Sequence, residues 1–125
     1  MRLDFIDNIN AFDENMVRLY DFDSTQAKKF REILNQLIIE KTPVDLSTVK
    51  FIKARNCNLT LRISEEDAGI STSDKKSFFC DLTVQGYEDM IKRLEPFCTK
   101  ETKGYQWLYE IDTLTDFLFS PAGTW

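Results

Sequence analysis

No histidine occurs in this chain, and only four glycines, three prolines and three cysteines punctuate it. Each scarcity excludes something. Without His there can be no Ser–His or Cys–His nucleophile pair within one chain, and the commonest general base and metal ligand is missing. Gly69, Gly86, Gly104 and Gly123 stand alone, so there is no Gly-rich phosphate loop. Cys57, Cys80 and Cys98 are odd in number, and their spacings of 23 and 18 match no zinc or thioredoxin pattern. They suit small buried residues in a reduced cytoplasm. The longest apolar cluster, Leu37-Ile38-Ile39, is too short to span a bilayer, and no leader-like apolar run follows Met1.

What is present is acidic and aromatic. Lys and Arg number 16 against 21 Asp and Glu, a net charge of −5, which argues against nucleic acid or an anionic membrane as partner. The 125 residues include ten Phe and are 42% hydrophobic, enough to bury the core of one domain over 1–125.

The patterning alternates strands with two amphipathic helices. Residues 2–7 and 17–22 alternate as two strands of a hairpin. Asp23 and Gln26 have the spacing of a capping box. Ala27, Phe30, Ile33, Leu34, Leu37 and Ile38 then form one helical stripe, which Pro43 ends. Residues 48–54 and 58–64 read as a second hairpin turning at Asn56-Cys57. Residues 65–76 are polar and read as a mobile loop, and 77–84 as a strand. Tyr87, Met90, Ile91, Leu94 and Phe97 mark the second helix, with Pro96 in or ending its last turn. Two final strands are expected over 105–111 and 115–120.

This order is a strand followed by strand–helix–strand–strand twice, over 17–64 and 77–120. The helical stripes align at an offset of 60 and the hairpins at 56. The expected fold is therefore α+β: a two-layer sandwich, one antiparallel sheet with both helices on one face, built from a tandem β-α-β-β repeat behind an extra N-terminal strand. Asp21 and Asp81, equivalent in the repeat, are expected to share a role in the strand–helix turn.

Parity then separates the sheet faces. With Asp112-Thr113 as a turn, Leu108, Phe117 and Phe119 face the helices. Tyr105, Trp107, Tyr109, Asp116 and Leu118 point outward, and Phe51 joins that face from the first unit. A one-residue slip would exchange the faces. Three uses compete for so aromatic a surface: a second small core covered by the chain's own loops, a homodimer interface, or a ligand cleft. Glu110 falls on the helix-facing side, either at a wet strand end or as a partly buried carboxylate suited to a cation.

The acidic clusters at Asp4/Asp7, Asp13/Glu14, Asp21/Asp23 and Glu65–Asp67 lack the spacing of an EF-hand and read as solvated surface. No catalytic residue, metal ligand or cofactor is expected.

By element order alone, residues 17–120 are similar to the gyrase-inhibitor-like effector-binding domains. That resemblance implies a small, often cationic ligand held between the repeats, with Trp107, Tyr109 and Glu110 cast as its aromatics and glutamate. It rests on no motif, and the extra N-terminal strand departs from it.

The function expected is thus non-enzymatic: a cytoplasmic domain that self-associates, most simply as a homodimer through its aromatic sheet face. The alternative is a small-molecule binding module. Its candidate binding residues are Phe51, Tyr105, Trp107, Tyr109, Glu110 and Leu118.

Overall fold

The computed structural model describes residues 1–6, 15–99, 104, 106–109 and 115–121. Tyr105 and Glu110 lie outside the described residues, as does the side chain of Tyr109.

Strands β1 (Arg2–Ile6) and β2 (Asn15–Tyr20) pair antiparallel, with Leu3 opposite Leu19 and Phe5 opposite Val17. All four are buried, so one face of this pair belongs to the core. Helix α1 (Ser24–Glu40) opens on the expected capping box: the Asp23 carboxylate accepts the Gln26 N–H at 2.9 Å, and Gln26 Oε1 accepts the Asp23 N–H at 3.3 Å. The helix ends at Lys41, whose φ of 56° is left-handed and whose N–H donates to the Leu37 carbonyl.

Helix α2 (Val84–Thr99) holds Pro96 in its last turn. Thr83 caps its start by accepting the Gly86 N–H, and Asp67 accepts both the N–H and the hydroxyl of Thr83. Gly86 is needed there, because a Cβ would sit 2.5 Å from Asp67 Oδ1. The buried faces of the helices agree at the offset of 60: Ala27, Phe30, Leu34 and Leu37 on α1, and Tyr87, Met90, Leu94 and Phe97 on α2. Arg31 and Glu95 join the helices at 2.8 Å. No described helix is long and apolar enough to cross a membrane.

The sheet departs from expectation. The fold is α+β, but it has two mixed sheets rather than one antiparallel sheet. Numbering in chain order, β3 is Val44–Asp45, β4 is Lys53–Ala54, β5 is Asn58–Ile63, β6 is Gly69–Thr72 and β7 is Ser77–Leu82. The last two strands are β8 (Gln106–Tyr109) and β9 (Thr115–Ser120). Sheet A runs β4-β1-β2-β9-β8, and sheet B runs β3-β5-β7-β6. The central pairs, β2 with β9 and β5 with β7, are parallel. Neither pair joins consecutive strands: β2 and β9 are 100 positions apart and β5 and β7 are 19 apart with β6 between them, which hairpin reasoning from neighbouring segments does not anticipate.

The expected hairpin of 48–54 with 58–64 does not form. Leu46–Thr48 is a single 3-10 turn, and β4 lies parallel to β1 in sheet A while β5 belongs to sheet B. The physical reason is Asn56. Its Oδ1 accepts the Phe5 N–H at 2.9 Å and its Nδ2 donates to the Phe5 carbonyl at 3.0 Å, extending the β4–β1 ladder with a side chain instead of making a turn. Residues 65–76 are likewise not all loop: β6 pairs antiparallel with β7, and Ile70 is buried.

A single hydrophobic cluster joins both sheets and both helices. Phe119 sits at its centre, with ring centroids of Phe22, Phe97 and Phe30 at 4.1, 5.3 and 5.7 Å. Phe5 of sheet A and Phe78 of sheet B meet at 4.6 Å.

Candidate functional site

The core takes Leu3, Phe5, Val17, Leu19, Phe117 and Phe119 from one face of sheet A. Alternation sends their neighbours to the other face. Strand register then aligns Asp4, Arg18, Leu118 and Trp107 in one row across β1, β2, β9 and β8. Gln106 opposite Phe119 and Trp107 opposite Leu118 match the expected pairing. A register shift follows, and Tyr109 then pairs with Phe117.

The row has a charged half and an apolar half. Arg18 grips Asp4 with two bonds, Nε to Oδ1 at 2.6 Å and Nη2 to Oδ2 at 3.0 Å. The side chains are 13% and 5% exposed, so the pair is nearly dry. Its hydrogen bonds to Asp4 raise the pKa of the Arg18 guanidinium above the ordinary value. Arg18 also stacks over the Tyr20 ring, 4.0 Å from its centroid. Arg55 reaches in from beyond β4, 3.6 Å from Asp4 and 3.3 Å from the Tyr20 hydroxyl. On the apolar half, Leu118 is buried and Trp107 half-buried. Met16 and Tyr20, whose side chains share this face, are buried too. Among the described side chains of this face, Trp107 on the edge strand is thus the aromatic that remains partly open.

Phe51 is elsewhere. It precedes β4, at the opposite edge of sheet A from β8, about 19 Å away at four strand spacings of about 4.8 Å. It is half-buried against the core, with the Lys29 ammonium 5.7 Å from its ring centroid. Of the expected binding residues, Trp107 and Leu118 are brought together, Phe51 is not, and Tyr105, Tyr109 and Glu110 cannot be placed by their side chains.

Asp4, Arg18, Tyr20 and Arg55 were missed from the sequence. A signal existed: in the β1–β2 hairpin Asp4 lies between Leu3 and Phe5, and Arg18 between Val17 and Leu19. Two opposite charges at matching positions between core residues mark a cross-strand pair. Sheet B carries a similar device, with Arg62 bound to Asp81 at 2.7 Å through both oxygens and stacked 4.2 Å from the Phe79 centroid. Asp81 therefore acts on a sheet face. Asp21 instead takes a left-handed φ of 57° and pairs with Arg2, so the shared role expected of them fails.

The chemistry open to these groups is limited. Among the described residues no three His, Cys, Asp or Glu side chains gather to hold a metal ion. Burial pushes the Cys57 and Cys80 thiols up to about 12 and raises Cys98 as well, so none offers a thiolate at neutral pH. Tyr87, fully buried, donates to the Cys80 carbonyl at 2.6 Å and accepts the Arg62 N–H at 3.1 Å, which makes it a pin for sheet B.

No protein-family model, curated protein or solved structure matches this chain. The fold is α+β, with an ion-paired sheet face and, among the described residues, one half-open tryptophan.

Proposed function

We propose that the chain acts by protein association, pairing with a second copy through the outer face of sheet A. The observation that carries this reading is Trp107, a half-buried indole on edge strand β8 beside buried Leu118. Leu118, Met16 and Tyr20 are already buried within the chain, so a partner would meet the exposed part of the Trp107 indole at the sheet edge, and tryptophan suits an interface. The dry Asp4–Arg18 pair holds the same face rigid, which lowers the ordering cost of docking. Sedimentation tests it: the wild type has the mass of more than one chain, and Trp107→Ala lowers that mass. A wild type that remains monomeric at high concentration defeats the proposal.

The same reading takes residues 1–125 as one domain of the reduced cytoplasm and its two halves as a duplication. The helices buried at matching positions support the duplication. So does the like order of β1-β2-β9-β8 and β6-β7-β5-β3. The second reading is a small-molecule module, favoured by the same indole beside Leu118. An aromatic dye whose binding quenches Trp107 emission would support it. Asp4, the carboxylate in that row, is already matched by Arg18 and Arg55.

A further inference from the structure

The geometry points to a second self-association surface, the solvent side of the helix pair, where a second copy docks about a two-fold axis. This rests on the reading that the chain self-associates, but it uses a different face. Helices α1 and α2 run antiparallel, since Arg31 meets Glu95 at one end while Ile38 and Ile39 lie with Glu88 towards the other. Between them is an open groove of about 370 Å³, lined by Asn35, Ile38, Ile39, Glu88, Ile91 and Lys92. Ile39 stands 73% exposed beside it, and it is the one large hydrophobic side chain so exposed among the described residues. The inner sides of both helices pack on Phe119 through Phe30 and Phe97, so this groove is remote from the outer face of sheet A.

Charge selects the occupant. Glu88 and Lys92 are one turn apart on α2, both exposed, and neither has an ion partner among the described residues. A two-fold axis crossing α2 near Met90 places Glu88 of one copy opposite Lys92 of the other, and the reverse. The surface is therefore complementary to itself, as an isologous contact requires. The same operation lowers Ile39 of each copy towards the Ile38–Ile91 floor of the other. The helices, 17 and 16 residues long, give a face of roughly 25 by 20 Å, the scale of a small two-fold interface.

A charge-swap experiment on the full chain tests this by sedimentation, with circular dichroism to check that each variant is folded. Ile39→Lys should raise the dissociation constant of the groove-paired dimer about 100-fold. Glu88→Lys and Lys92→Glu should each raise it about 10-fold or more, because like charges then face one another. Mixing Glu88→Lys chains with Lys92→Glu chains should restore pairing, since both cross-contacts become attractive again. Three results overturn the inference: a monomeric wild type, pairing indifferent to the groove variants, or a mixture that does not recover. If Trp107→Ala lowers the mass and the groove variants do not, the groove fails and the sheet-face reading stands. If the groove variants lower it and Trp107→Ala does not, the groove stands and the sheet-face reading fails.

Discussion

Asn56 completes a sheet edge with its amide, one bond accepted and one donated at Phe5. Asn56→Ala leaves both Phe5 groups without that partner and should cost about 1–3 kcal/mol in urea unfolding. Asn56→Asp keeps the acceptor for the Phe5 N–H but turns a second oxygen towards the Phe5 carbonyl, so it should also destabilise the protein. From the sequence this residue read as a turn, because Asn is both a common turn residue and a side chain whose carboxamide copies a peptide group. Nothing local distinguishes the two uses. The thiols carry a second expectation. Burial pushes the Cys80 thiol up to about 12, against 9.0 for an ordinary cysteine. Above pH 9 the unfolded chain loses that proton and the native one does not, so the unfolded state binds fewer protons and stability falls with rising pH. The loss should spread between about pH 9 and 12 and reach the order of a few kcal/mol. Thiol labelling at neutral pH should be slow in the native protein and fast in denaturant. Rapid native labelling of Cys80 would show that its burial is misjudged.

Among the elements, the helices were the most legible in the sequence. The Asp23–Gln26 capping box, the buried stripes and the late Pro96 all followed from spacing, because a helix is satisfied largely by its own backbone and one face. The strands were less so. β1, β2, β7 and β9 were found nearly to their ends, since each has alternating core residues. β3 and β6 were lost, being only two and four residues long and defined by partners rather than by pattern, and β4 fell inside the expected strand 48–54 but with another partner. The C-terminus of α1 offers a test at this scale. Lys41 holds a left-handed φ that suits glycine, so Lys41→Gly should stabilise the protein by about 0.5–1 kcal/mol in thermal or chemical unfolding. A loss of stability would mean that the Lys41 side chain contributes more than its backbone strain removes.

At the level of the molecule, each half of the chain lacks its own central neighbour. Residues 1–64 contain β2 without β9 and β5 without β7, and 65–125 contain the complements. Each fragment alone should show little cooperative melting by circular dichroism, and an equimolar mixture should regain the transition. A half that melts cooperatively alone would contradict one shared core. This exchange also explains why the sheet arrangement escaped the sequence: alternation states which residues face inward but not which distant strand lies alongside. The candidate site suffered in the same way. Trp107 and Leu118 are neighbours through a local hairpin and were paired correctly, whereas Phe51 was placed with them only by assuming one continuous sheet. The parallel seam between β2 and β9 has a further consequence for how the protein is born. Asn15 lies beside Thr115, its partner 100 positions later. During synthesis the β1–β2 hairpin waits, with one side of β2 unmatched, until about 100 further residues have been made. Closure is late and dominated by long-range contacts, so folding should be slow. Through that interval the nascent chain presents an unpaired strand edge, the state in which it is most exposed to a wrong partner.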